Sequence, residues 1–194
     1  MNTPSTSTRR AAPLPADERR AAIVEAVLPT LIERGLTVTT RELAVAAGVS
    51  EGTLFNVFAD KDELIAAAVD AAIDPEPFER SVGALDPTMA FHDRLVAATV
   101  LIQRRIVDIW RLLSQLGGHP DPHHRHRPLP ESPALVALLE PESERLRRPP
   151  AVAARQLRAM TLSLTHPLMT SEPSSADEIV DLFLHGAMCA GEVA

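Results

Sequence analysis

The chain has no tyrosine, one tryptophan and five phenylalanines among 194 residues, so aromatic side chains make up only 3% of it. Any core must be built mainly from aliphatic groups. Cysteine is equally scarce: a lone Cys189 excludes an internal disulfide, and in an apolar helix it reads as a small buried side chain rather than a reactive thiol. No apolar run approaches the roughly 20 residues needed to cross a bilayer. The opening stretch MNTPSTSTRRAAPLPADERR lacks the apolar segment of a secretory signal, so a cytoplasmic protein is expected. Catalytic punctuation is missing as well. There is no G-x-S-x-G turn, paired-carboxylate motif, Walker glycine loop or dinucleotide fingerprint, so neither an enzyme nor a bound cofactor is expected.

What is present is 45% hydrophobic residues, enough for a substantial core in one two-part unit or two small domains. The most informative segment is TRELAVAAGVSEGTLFNVFADKDEL, residues Thr40 to Leu64. Thr39 can cap a helix while Glu42 reaches back to the same turn, a capping box. Leu43, Ala44, Ala46 and Ala47 give that helix a small apolar face. Gly48 follows where a left-handed backbone reverses the chain without a Cβ penalty, and Val49 plugs the corner. Ser50 caps the next helix, whose Leu54, Val57 and Phe58 face inward at spacings of three and four. Its opposite face, Glu51, Gly52, Thr53 and Asn56, is small and polar, which lets a backbone approach a base-pair edge. Asp60 and Glu63 form a second capping box around Lys61, starting a helix to about Ile73.

Upstream, Ile23, Val24, Val27, Leu28, Leu31 and Ile32 form an amphipathic helix that Gly35 ends. Pro29 lies inside it and predicts a kink, at a cost of about 3 kcal/mol in an undistorted helix. Across roughly residues 19 to 70, the run E-R-G, T-T, E-L-A, A-G-V-S, G-T-L-F, K-D-E-L resembles the TetR family of transcriptional regulators. The resemblance implies an all-α fold of about nine helices: an amino-terminal three-helix, helix-turn-helix DNA-binding domain and a larger carboxy-terminal bundle, paired as a dimer. It implies phosphate contacts at Thr39, Thr40, Arg41 and Lys61. Ser50, Glu51, Gly52, Thr53 and Asn56 become base or sugar-edge readers, with Asn56 able to pair with adenine and Thr53 to touch a thymine methyl. Glu51 fits a solvated surface better, because phosphates repel an acid. Phe55 stands where the family often has tyrosine, so a phenolic bond to phosphate is lost.

Charge opposes this reading. The net charge is −7, and residues 1 to 65 carry seven basic and nine acidic side chains, whereas affinity for nucleic acid comes largely from cations at the phosphates. Placement offsets the deficit: Arg9, Arg10, Arg19 and Arg20 lie in or beside the amino-terminal arm, several acids cap helices, and a dimer doubles each positive patch.

The expected organisation is an arm over residues 1–16, the DNA-binding domain over 17–64, and a ligand-binding and dimerisation domain over 65–194. DPEPF, Asp74 to Phe78, marks a joint, and after Pro87 one long helix runs from Thr88 to Leu116 before Gly117 and Gly118. The proline-rich GGHPDPHHRHRPLPESP reads as an exposed loop. Its His119, His123, His124 and His126 have ligand-like spacing. The prolines and the cationic Arg125 and Arg127 argue against a metal site, and none is expected. Helical pieces follow at Ala134 to Leu139 and Glu142 to Leu146, then longer helices at about Pro150 to Thr170 and Ser175 to Ala190.

The last helix groups Ile179, Leu182, Phe183, Gly186, Ala187 and Ala190, and the preceding one Ala153, Leu157, Met160, Leu164 and Leu168. Such stripes serve intrachain packing as readily as pairing; the resemblance implies a homodimer through these two helices. An effector pocket would draw on Phe91, Thr99, Gln103, Ile106 and Trp110 of the long helix, with Met160 and His166 opposite. The functional expectation is a repressor that leaves a palindromic double-stranded DNA operator when a small-molecule effector binds. The alternative is a helical enzyme or metal-binding module retaining the amino-terminal fold.

Overall fold

The computed structural model describes residues 15–115 and 131–187. Among them are nine α-helices and no strand: α1 (Ala16–Arg34), α2 (Thr40–Ala46), α3 (Glu51–Phe55), α4 (Lys61–Ile73), α5 (Glu76–Gly83), α6 (Phe91–Gln115), α7 (Pro133–Leu139), α8 (Pro150–Thr165) and α9 (Ala176–Ala187). Short 3-10 turns at Gly35–Thr37 and Glu140–Arg145 follow α1 and α7. The all-α architecture is as the sequence predicts. Arg9, Arg10, the four loop histidines, Cys189 and Ala190 lie outside the described residues.

Two aliphatic cores organise the helices. Val27, Leu31, Leu43, Leu54, Phe58 and Leu64, from α1 to α4, close around the helix-turn-helix, each almost wholly shielded from water. Phe78, Leu95, Ala98, Leu139, Leu157, Ile179 and Phe183 form the second core from α5 to α9. Helix α6 belongs to both: Leu95, Ala98 and Ile102 enter the carboxy-terminal core and Leu112 the amino-terminal one. At 1.5 Å per residue its 25 residues reach about 37 Å, so a single rigid element spans the two parts.

Local chemistry places the boundaries. Helix α1 continues through Pro29 and ends at Gly35, where φ is +58° and a Cβ would lie 2.5 Å from Cβ of Gln115 on α6. Glycine is therefore required both by backbone sign and by contact. The predicted joint at DPEPF contains a helix start that the pattern did not reveal: α5 begins at Glu76, and Phe78 and Val82 are its only two buried anchors. The long helix starts at Phe91 rather than Thr88, because the Asp86 carboxylate accepts bonds from the amide and hydroxyl of Thr88 at 2.8 and 2.7 Å and holds a turn there. Helix α8 stops at Thr165, five residues short of the expected Thr170. Pro167 supplies the reason, since a proline pushes the residue before it out of the helical region, and His166 sits at φ −70°, ψ 126°.

Helix α9 corrects the expected grouping on its face. Ile179 and Phe183 are buried in their own chain beside Val180 and Leu184, whereas Leu182 is 55% exposed and Gly186 is exposed. Packing against α6 and α8 claims the larger part of the stripe. On α8 Ala153 and Leu157 are likewise internal, and Leu168, beyond the helix end, is 75% exposed.

Candidate nucleic-acid interface and ligand cavity

The turn between α2 and α3 is locked by short-range bonds. The Thr39 hydroxyl accepts from the Glu42 amide while the Glu42 carboxylate accepts from the Thr39 amide and hydroxyl, completing the predicted capping box. These bonds, with the Arg34 guanidinium beside it, hold the Glu42 carboxyl below its ordinary value. Gly48 has φ +65°, and the Val49 amide returns to the Ala44 carbonyl at 3.0 Å. The chain thereby reverses into Ser50, whose hydroxyl accepts from the Thr53 amide at 3.1 Å and pairs with the Thr53 hydroxyl at 2.8 Å. Leu54 is wholly buried, and Ser50, Glu51, Gly52, Phe55 and Asn56 are exposed on the other side.

Each candidate DNA contact has a definite place. Thr40 donates its hydroxyl to Glu51 at 3.0 Å, tying the starts of α2 and α3 together and giving Glu51 a structural partner. Asn56 is the C-cap of α3, at the far end from Ser50, so the amino-terminal turn of the helix is carried by Glu51, Gly52 and Thr53. Arg41 is exposed and makes no ion pair among the described residues. The Lys61 ammonium donates to the Leu36 carbonyl at 2.8 Å, which brings it from the start of α4 toward the start of α2. Thr40 thus adjoins the start of α3, and Lys61 the turn that precedes α2.

Arg20, expected in or beside the amino-terminal arm, is engaged by contacts within the domain rather than left as a free positive charge. It lies on α1, pairs with Glu63 at 2.9 Å, donates to the Val57 carbonyl at 3.1 Å, and stacks 4.4 Å from the Phe58 ring centroid. It clamps α1 to the α3–α4 corner instead. Glu63 in turn accepts from the Ala59 amide, and that bond, with Arg20, lowers its carboxyl below the ordinary value. Capping and clamping occupy Glu42, Asp60 and Glu63, which leaves fewer acids free on this half than the formal charge implies.

A cavity of about 240 Å³ lies in the carboxy-terminal part. Helix α6 supplies one wall with Ile102, Ile106, Ile109 and Leu113, and Phe78 and Leu162 supply others. The Trp110 and His166 rings meet edge to face with centroids 4.8 Å apart. Of the residues expected to line a pocket, Ile106, Trp110 and His166 do. Phe91 and Met160 pack on the carboxy-terminal core, and Thr99 is fully buried. Gln103 is a strut, donating to the Thr165 hydroxyl at 3.1 Å and the Ser174 carbonyl at 2.8 Å between α6 and the α8–α9 connection.

Sequence reasoning missed two cations in this wall, Arg105 and Arg158. Burial lowers the pKa of both guanidinium groups, and for Arg105 the nearby Arg158 acts in the same direction, opposed by Asp74 and Glu79. Arg105 donates to the Ile73 carbonyl at 2.7 Å, at the end of α4, with its guanidinium carbon 6.0 Å from the Phe78 ring centroid. One signal was present: Arg105 interrupts an apolar stripe, between Ile102 and Ile109 at helical spacing.

Residues 23–68, which contain the whole capped turn, match the model of bacterial regulatory proteins of the tetR family. This segment is similar to the amino-terminal domain of that family. The described chain as a whole takes a TetR-like fold. It is 24% identical to a TetR transcriptional regulator from Streptomyces coelicolor, covering 89% of this chain and 99% of that one at a TM-score of 0.57. A TetR-family transcriptional regulator from Pseudomonas syringae pv. tomato aligns over 89% and 98% at 20% identity and a TM-score of 0.52. A gamma-butyrolactone receptor, an ArpA-like protein, aligns over 92% of each chain at 20% identity and a TM-score of 0.51. The TetR-family match stops at Ala68, within α4, so the cavity lies wholly beyond it.

Proposed function

We propose that the chain is a sequence-specific DNA-binding transcriptional regulator, a homodimeric repressor that releases a palindromic operator when a small molecule occupies the α6 cavity. The observation that carries this reading is the α3 surface: a short helix capped at Ser50, anchored by Leu54, exposing small polar groups, and tied at Glu51 to Thr40 at the start of α2. The amino-terminal end of such a helix reaches base edges in the major groove, and flanking hydroxyls and cations set its register on phosphate. Residues 1–16 act as an arm, 17–64 as the DNA-binding domain and 65–194 as the ligand-binding and dimerisation domain, with α4 crossing that boundary.

Pairing uses what intrachain packing leaves exposed on α8 and α9: Ala159, Ser163, Leu182 and Gly186. Small residues allow close helix approach, and a two-fold axis through a four-helix interface sets the two α3 surfaces about one DNA turn apart. Work in the cytoplasm follows from this role, and no described helix is long and apolar enough to cross a membrane. The ligand acts through differential affinity for two dimer geometries. Titrating genomic fragments with the full chain at about 50 and about 200 mM salt tests the DNA contact, with affinity expected to fall steeply as salt rises. A binding constant unchanged by salt would overturn it.

A further inference from the structure

Resting on the reading of the α6 cavity as an effector site, we infer that it takes a small apolar monocarboxylate, whose acid group pairs with Arg105 and Arg158 and competes with the Ile73 carbonyl for the Arg105 guanidinium. Three observations converge. First, the cavity surface is aliphatic and aromatic apart from His166 and the two guanidinium groups, so its polar recognition is dominated by positive charge. Second, burial disfavours the charge of both cations, and Arg158 disfavours that of Arg105 further, against the opposing pull of Glu79 on both and of Asp74 on Arg105. An anion between them relieves both effects, and guanidinium matches carboxylate in a bidentate fork. The acids already near them also hold backbone amides, Glu79 that of Ala134 at 2.8 Å and Asp74 that of Glu76 at 3.0 Å, so an incoming carboxylate adds to partners that are shared. Third, a volume of about 240 Å³ holds roughly eight water-sized groups, which sets the ligand near the size of hexanoate.

The same guanidinium carries the signal out. Arg105 and Phe78 also border a cleft of about 480 Å³ between α1, α4, α5 and α6. The Ile73 carbonyl is one of the last in α4, a position without an intrahelical donor, and Arg105 satisfies it. A carboxylate that draws Arg105 inward removes that donor and loosens the end of the helix whose start bears Lys61. Acid in the cavity thereby reaches the α3–α4 corner through a single element.

Trp110 is the sole tryptophan and lines the cavity, so its emission reports occupancy without DNA. The full chain is titrated with hexanoate, hexan-1-ol and hexylammonium. Hexanoate is expected to bind about tenfold more tightly than the alcohol, with no saturable response to the ammonium. Arg105→Met brings hexanoate to the alcohol's affinity. Arg158→Met, tested separately with circular dichroism confirming the fold, weakens hexanoate as well. Hydrogen exchange at the last turn of α4 speeds up with hexanoate in the native chain. An alcohol or ammonium that binds as tightly as the acid, silence of Trp110 with all three, or unchanged exchange at α4 while the acid binds would overturn the inference. A chain that selects operator DNA yet fails these titrations loses the acid site and keeps the regulator; one that binds hexanoate but no DNA shows the reverse.

Discussion

Single side chains divide the labour at the proposed DNA surface. Asn56 carries a donor and an acceptor that match the adenine edge, whereas the Lys61 ammonium offers charge alone. Asn56→Ala is therefore expected to change preference among operator variants by about 1 to 3 kcal/mol. Lys61→Ala weakens all sequences alike, and competition binding against single-base operator variants checks both. The reverse pattern would exchange their roles. Gly35 makes a prediction about folding instead. With φ at +58° and Gln115 within reach of any Cβ, Gly35→Ala is expected to lower stability by more than about 1 kcal/mol in urea denaturation.

The helices respond mainly through their caps. Ser50→Ala removes the acceptor for the Thr53 amide and is expected to cost about 1 kcal/mol of stability, read as a lower thermal midpoint. Glu42 and Glu63 have folded-state pKa values below the ordinary 4.5, the first mainly from the Thr39 amide bond and the second from the Ala59 amide bond. A depressed acid stabilises the fold above its unfolded pKa and loses that contribution as pH falls through the folded one. The helix-turn-helix should therefore weaken on acidification below about 4.5, and the Thr39 and Ala59 amides, which donate to these two carboxylates, should lose protection against hydrogen exchange there.

Elements whose signals are local were readable in advance. The capping box at Thr39, the cap at Asp60, whose expected reciprocal bond from Glu63 goes to the Ala59 amide instead, the reversal at Gly48 and the stop at Gly35 each need only a few neighbouring residues, so α1 to α4 followed from the order of amino acids. Helix α5 did not, because Phe78 and Val82 are too few for a period and Pro75 and Pro77 read as a break. The end of α8 was legible at Pro167 and was overrun by the apolar spacing that continues to Leu168. Pocket residues were the least accessible: Arg105 and Arg158 meet only when α6 and α8 pack, and Gln103 becomes a strut only when the α8–α9 connection arrives.

The molecule as a whole is organised by α6, which shares one core with the helix-turn-helix and another with the cavity. A change at Arg105 has a short route to α4 for that reason. Whether this route yields regulation depends on pairing. Light scattering of the full chain at micromolar concentration is expected to give the mass of two 21.0 kDa chains, and Leu182→Asp to give one; a monomeric native chain would remove the basis for a palindromic site. The most direct test of the central claim is selection of bound sites from random duplex DNA by the pure chain in dilute buffer. Enrichment of an inverted repeat with half-sites about one helical turn apart, degraded in sequence preference by Asn56→Ala, is the predicted result. Recovery of DNA with no common sequence would contradict it.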